Sequence, residues 1–360
     1  MIIKTLQFYL ISLFLKRILL SSLIFLLLIF ILSVFEEISF FKKVDINFLI
    51  PYLVAILNAP ASLFEIFPFI FLISTQFFFI YIIRKGELDF LKINGISNLK
   101  IIKTLFLTSF MLGLFIITIY YTLSSKLKFI YLDLKNTHSN DNKYLAVVTQ
   151  NGLWIKDEID DHIYIINAQQ IEKKFLKEVS IFQYSNDFNL IQVFISSKVD
   201  ISKMEWRIYS PTISIDNKNT TLKENINILT HFDLKKINSL FRNLSSLNLM
   251  ELINQKNDYK SLGYTTKEIE SHINRLISFP FFLSIMTALS SIIMLNIKRN
   301  RKNIYYLILG IMLSVLIYYL YYLFNLLGEN DKIPLLLSTW FPLIILSIFV
   351  LIGLVKINDK

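Results

Sequence analysis

Glu87 stands in the run Arg84-Lys85-Gly86-Glu87-Leu88-Asp89-Phe90-Leu91-Lys92-Ile93-Asn94-Gly95-Ile96-Ser97. The spacing predicts a short, partly amphipathic helix with Leu88 and Leu91 on one face, ending at Asn94-Gly95. Such a segment either lies on lipid headgroups as a basic loop or docks a partner on one side of a membrane, and spacing alone leaves both open. A second ionisable group, Glu65, interrupts an apolar stretch, where a charge is costly unless it faces a polar cavity or the membrane interface. Beyond these two acids the chain offers little chemistry. It contains no P-loop, GxGxxG, HExxH or GxSxG pattern. His138, His162, His231 and His272 are scattered, which suits surface or capping roles better than metal ligation, so neither a metal nor a cofactor is expected. With no cysteine, disulfides and thiolate sites are excluded.

The elements that carry these residues follow from hydropathy. The chain has 360 residues, 54% of them hydrophobic. Residues 18–35, 104–125, 276–297, 303–328 and 333–355 carry no charge, and each is long enough to cross a hydrocarbon core at 1.5 Å per residue. A sixth span lies in 46–83, a stretch holding Glu65, Pro51, Pro60 and Pro68; it is predicted to be broken or interfacial up to about Asn58, with the true span after it. The first apolar run is not followed by a small-residue cleavage pattern, so it reads as a span and not as a signal peptide. The expected fold is therefore an α-helical membrane protein of six spans, three in 1–125 and three in 276–360, around an inserted domain at 126–275.

Lysine and arginine collect on one side of these spans: Lys4, Lys16 and Arg17, then Arg84, Lys85, Lys92, Lys100 and Lys103, then Lys298, Arg299, Arg301 and Lys302, then Lys356 and Lys360. The short loops opposite offer Lys42, Lys43 and Lys332. This bias predicts both termini in the cytoplasm and the insert outside. It also accounts for the net charge of +10 better than nucleic-acid binding does, since no basic cluster sits on a nucleic-acid module.

The insert reads as β. Short β-branched or aromatic runs at 144–148, 153–155, 163–166, 179–184, 190–195, 206–209 and 213–215 are separated by polar turns, a pattern expected of a sandwich or jellyroll. Helix-like spacing resumes between Ser245 and Arg275. Within the first runs, Asn151-Gly152-Leu153-Trp154-Ile155-Lys156-Asp157 predicts a hairpin strand with a buried tryptophan. Further along, Ile181, Ile191, Val193 and Ile195 are expected to face inward and Gln183 and Gln192 outward.

Taken in order, these features resemble the LptF/LptG permease family, the transmembrane half of the ABC exporter that extracts lipopolysaccharide from the inner membrane. The resemblance covers essentially the whole chain. It rests on the stretch from Pro60 to Pro68, the run from Arg84 to Ser97 matching the family's coupling helix, the Asn151 to Asp157 run followed by His162-Ile163-Tyr164-Ile165, and Arg275 with Pro280. The last-named β run looks more like LptG than LptF.

The resemblance implies a transport subunit without catalytic residues. An LptF-like chain would pair with it and two copies of an LptB-like ATPase would sit beneath, contacted by Glu87, Leu88, Leu91 and Gly95 of the coupling helix at about 84–97. Lipopolysaccharide would rise onto a periplasmic jellyroll and pass to a bridge of LptC and LptA type. The implied substrate path takes in Lys42, Lys43, Glu65, Ile181, Ile191, Val193 and Ile195, the lysines standing in for a basic residue that the family often carries where this chain has Glu36-Glu37. A second subunit is also expected because Ser74, Gln76 and Asn325 place polar groups within the spans. Two other classes fit less well. A mechanotransmission permease usually carries its outer domain after the first span, and a lipid-modifying enzyme needs acidic or histidine clusters at a membrane face, which this sequence lacks.

Overall fold

A computed structural model describes residues 2–42, 47–137, 153–159, 162–172, 174–185, 187–215, 218–221, 224–234, 237, 243–261, 265–296 and 303–358. The chain divides into two compact units, Met1–Tyr131 with Lys267–Lys360, and Leu132–Thr266. The second falls inside the insert expected at 126–275.

The first unit is helical. Its elements are α1 (Ile2–Phe41), α2 (Ile50–Arg84), α3 (Glu87–Ile93) and α4 (Asn98–Phe115), then a π-helical turn (Ile116–Tyr120) leading into α5 (Tyr121–Thr137). After the β-rich insert, which closes with α6 (Leu249–Ser261), come α7 (Lys267–Leu295), α8 (Asn303–Glu329) and α9 (Leu335–Asn358). Among the described residues, six helical stretches are long and apolar enough to span a membrane. The expected break before Asn58 is not there: α2 runs unbroken for 35 residues with Pro60 and Pro68 inside it, and Pro51 in its first turn. A proline costs no hydrogen bond in the first turn, and interior prolines are tolerated in a membrane helix when neighbours satisfy the freed groups.

Helices α2 and α7 form the centre, with 67% and 72% of their most apolar windows buried, against 22% for α1 and 17% for α8. Side chains of α7 explain how it packs so tightly: Ser284, Thr287, Ser290 and Ser291 are fully buried, small enough to let backbones approach. Ser290 donates to the Leu72 carbonyl of α2 at 2.8 Å, and the hydroxyls of Ser109 and Thr287 meet at 2.8 Å between α4 and α7. Gly113 permits that approach, since a Cβ there would come within 2.6 Å of the Pro280 Cα. Ser74, Gln76 and Asn325 are buried within this chain's own bundle. They therefore supply no reason for a second subunit, contrary to the expectation from sequence.

The second unit holds eight strands among the described residues: β1 (Leu153–Ile159), β2 (His162–Glu172), β3 (Phe175–Ser185), β4 (Leu190–Asp200), β5 (Glu205–Ile208), β6 (Thr212–Ile215), β7 (Lys218–Thr221) and β8 (Ile226–Leu229). They make one antiparallel sheet in the order β1-β2-β3-β4-β5-β8, with the β6-β7 hairpin also paired to β4. The first four strands are successive hairpins. The long β4 then serves two partners, β6 along 193–195 and β5 along 199–200. That core contains Ile155, Ile166, Val179, Ile181, Phe194 and the fully buried Trp206, whose indole N–H donates to the Phe232 carbonyl at 2.7 Å. The strand expected at 144–148 and the Asn151-Gly152 pair lie outside the described residues. Helix α6 opens with a reciprocal capping box, Asn248 and Glu251 each accepting the other's backbone N–H at 3.0 Å.

Candidate functional site

The connection between α2 and α4 is built as a rigid bracket. Gly86 and Gly95 flank α3 with φ of 69° and 77°, the left-handed region that a side chain strains to enter, and a Cβ at either would meet nothing within 4 Å. Backbone conformation and not space thus requires glycine at both ends. The Ser97 hydroxyl then accepts the Lys100 N–H at 3.3 Å and starts α4. Within α3, Leu91 is buried and Leu88 packs against the same cluster beneath it, so these two residues anchor the helix to the bundle. What α3 presents outward is different: Phe90 is 57% and Ile93 85% exposed, next to exposed Asp89 and Lys92. The outward apolar pair was missed because the sequence shows only that one stripe exists, not which stripe is already covered.

Glu87, the first residue of α3, accepts a hydrogen bond from the Tyr9 hydroxyl of α1 at 2.8 Å. The early part of α1 and the α2–α4 connection therefore lie at the same end of the unit. Nearby, the Arg17 guanidinium of α1 sits 4.4 Å and the Lys85 ammonium 4.7 Å from the centre of the Tyr81 ring. Both are cation–π distances.

A second polar region surrounds Glu65. Its carboxylate borders a cleft of about 180 Å³ lined mainly by apolar side chains of α2, α7 and α8, among them Phe69, Phe282, Met286, Val315 and Tyr318. The cations acting on it are Lys128 and Arg275. Lys128 donates to the Asn58 side chain at 2.5 Å and lies 4.6 Å from the Tyr131 ring, whose hydroxyl donates to Glu37 at 3.0 Å. Glu37 is thus an internal anchor for α5 and not a headgroup-facing acid. Arg275 approaches His272 Nδ1 at 3.2 Å, while His272 Nε2 meets the Tyr121 hydroxyl at 2.8 Å. An arginine has only N–H groups to offer, so Nδ1 accepts and the Nε2 hydrogen points to Tyr121. On the far side of Arg275, Glu329 lies 4.0 Å away and accepts a hydrogen bond from Ser271 at 2.9 Å. Of the two lysines expected near this region, Lys42 is exposed at the end of α1 and Lys43 lies outside the described residues. The sequence held one signal for the rest, Lys128 and Arg275 at the ends of spans three and four.

In the β unit the four residues expected to share a face do not. Cross-strand partners point the same way, and Ile181 pairs with Phe194 while Gln183 pairs with Gln192. Ile181, Gln183, Gln192 and Phe194 therefore share the core side, where Gln192 donates to Gln183 at 2.6 Å. Val193 and Ile195 take the opposite face, and Ile191, beside a bulge at Gln183/Tyr184, is exposed as well. The expected alternation failed because residues 181 and 183 have the same parity on one strand, so they cannot face opposite ways. Trp154 is likewise 49% exposed, while Leu153, Ile155 and Asp157 beside it are buried. Asp157 accepts the backbone N–H of His231 at 2.9 Å and meets its Nδ1 at 2.8 Å.

Among the described residues no group of three or more histidine, aspartate or glutamate side chains could hold a metal ion. No curated protein matches the chain. A model of the family described as lipopolysaccharide export system permease LptF/LptG matches residues 8–356. That match spans nearly every element described above, from α1 through the β unit to α9, and the chain accordingly belongs to the LptF/LptG family of lipopolysaccharide export permeases.

Proposed function

We propose that this permease is the LptG-type subunit of the exporter, paired with an LptF-like chain, seated on an LptB-like ATPase dimer and delivering lipopolysaccharide to a periplasmic bridge of LptC and LptA type. The observation that carries the reading is the α2–α4 connection: a seven-residue helix fixed to the bundle by Leu88 and Leu91 and presenting Phe90 and Ile93 outward, with the half-buried Glu87 at its start. A helix anchored on one side and apolar on the other can transmit a push without being displaced from its seat. Nucleotide chemistry then belongs to the partner, and this chain carries force and a lipid route. The choice of LptG over LptF rests on the Leu153 to Asp157 strand and the His162-Ile163-Tyr164-Ile165 run that pairs with it.

On this reading both termini and residues 297–302 are cytoplasmic and the β unit is periplasmic. Lipid enters beside Glu65, Lys42 and Lys43, and acyl chains pass along the β unit on the face of Val193 and Ile195, with Ile191 beside them and Ile181 on the core side. The bare faces of α1 and α8 are where the second permease chain sits. Copurification from detergent or nanodiscs tests the assembly: an LptF-like chain and an ATPase should come with this one. A stable, transport-competent monomer or homodimer would overturn it.

A further inference from the structure

We propose that Tyr9 is the positioning residue for the coupling helix: its hydroxyl aims the Glu87 carboxylate and ties α3 to the first span, so that α1 moves when α3 is pushed. The inference rests on the reading of α3 as the ATPase contact and adds to it a second helix that receives the motion. By connectivity alone, α3 can drive only α2 and α4, the two helices it joins. The Tyr9 hydroxyl bridges 78 residues of sequence to reach Glu87 at 2.8 Å. A neutral donor to an ionised acceptor makes a stronger and more directional bond than a neutral pair. It is also specific in geometry, because Glu87 follows the left-handed Gly86 and so has little freedom in where its side chain begins.

A second contact prevents α1 from simply pivoting about Tyr9. Two turns further along α1, the Arg17 guanidinium rests on the Tyr81 ring of α2, and Lys85 approaches the same ring. Leu10 and Phe14, on the intervening turns, are fully buried in the cluster that also holds Leu91. The segment from Tyr9 to Arg17 is thus held at both ends against the α2–α3 junction. Beyond the clasp α1 continues as one helix to Phe41 with Ile18, Phe25, Leu26 and Ile29 packed on the bundle, so a displacement imposed at Tyr9 is carried along its length.

The test uses the complete complex in nanodiscs with three variants, Tyr9→Phe, Glu87→Gln and the two combined, and reads lipopolysaccharide released per ATP hydrolysed beside ATPase copurification. Tyr9 is partly exposed and phenylalanine keeps its ring, so Tyr9→Phe should fold and copurify as wild type. Its lipid yield per ATP should fall by roughly three- to tenfold, the range for losing one ordinary hydrogen bond, since water screens most of what the charge adds at this exposed position. The combined variant should lose less than the product of the two single losses, because glutamine keeps only a neutral amide oxygen for the Tyr9 hydroxyl and both changes therefore act on the same bond. Wild-type yield in Tyr9→Phe, or losses that multiply in the combined variant, would overturn the assignment of Tyr9 while leaving the role of α3 intact. If Glu87→Gln itself keeps wild-type yield and copurification, α3 is not the ATPase contact and both proposals fall.

Discussion

Replacing Gly310 by alanine should destabilise the helical bundle even though alanine is the better helix former. A Cβ at this position of α8 would overlap the Gln76 carboxamide, which is fully buried and donates to the Tyr306 carbonyl at 2.9 Å. The amide would have to leave. Losing an interhelical hydrogen bond in a membrane costs about 0.6 kcal/mol on average and up to about 1.7. Leaving a buried amide without a partner adds about 1 to 3 kcal/mol. Against this, alanine gains about 1 kcal/mol over glycine in a helix interior. The balance is a net loss of about 0.6 to 3.7 kcal/mol, read as a lower thermal midpoint of the detergent-solubilised complex. The mechanism makes a sharper demand: Gln76→Ala should cancel most of the added penalty, since no amide is left to displace, and the double variant should then be little worse than Gln76→Ala alone. Wild-type stability in Gly310→Ala, or strictly additive losses in the double variant, would refute the account of α2 against α8.

Other outcomes follow from the same geometry. Glu87→Lys should weaken ATPase copurification more than Glu87→Ala, because it places a cation where one is to be received, whereas Asp89→Ala should matter less; equal retention in all three would mark α3 as a headgroup-lying loop. Cysteine introduced at Asp187 should react with an impermeant thiol reagent from outside and one at Arg299 only after permeabilisation, and the reverse pattern would invert the topology. Photo-crosslinkers at Ile195 and Val193 should capture lipopolysaccharide if the route follows the open face of the sheet, while capture only at Ile181 and Phe194 would place it among the core residues. For Asp200, burial alone would raise the carboxyl, but hydrogen bonds from Ser202 and the Lys174 ion pair at 3.2 Å outweigh it and hold the group below its ordinary 3.8. A depressed folded-state value means that the contribution is complete at neutral pH and is lost as pH falls through that value. Acid unfolding of the β unit below about pH 4 should therefore be less steep in Asp200→Asn.

The spans and the β insert were legible because both rest on composition over many residues, and a run without charge has few alternatives to crossing a membrane. Gly95 as the end of α3 was legible for a local reason, the left-handed stop after a short helix. What the sequence concealed depends on partners far away in the chain. Nothing near Pro60 announces that α2 continues through it, and the Tyr120 hydroxyl that packs this turn against the third span, donating to the Pro60 carbonyl at 2.9 Å, is 60 residues on. Trp154 and Trp206 sit in similar β runs, and only the pairing of β5 with β8, along with the Phe232 carbonyl, makes the second one the core residue. Tyr9 gave no sign at all, being one aromatic among many on an apolar helix.

The π-helical turn at Ile116–Tyr120 has a consequence for what kinds of change this protein can absorb. There the Tyr121 N–H reaches back five residues to Ile116, so the third span holds one residue more than its rise requires. Everything beyond the turn is set about 100° out of phase with an uninterrupted helix. That offset sends Tyr120 towards α2 and Tyr121 towards His272 of α7, and it fixes the direction in which Lys128 leaves α5 two turns later. Substituting side chains within the turn leaves this phase untouched, whereas deleting any single residue between Phe115 and Tyr121 would restore the regular ladder and swing all three away together. The aim of Lys128 is therefore written in a residue count and not in a residue identity.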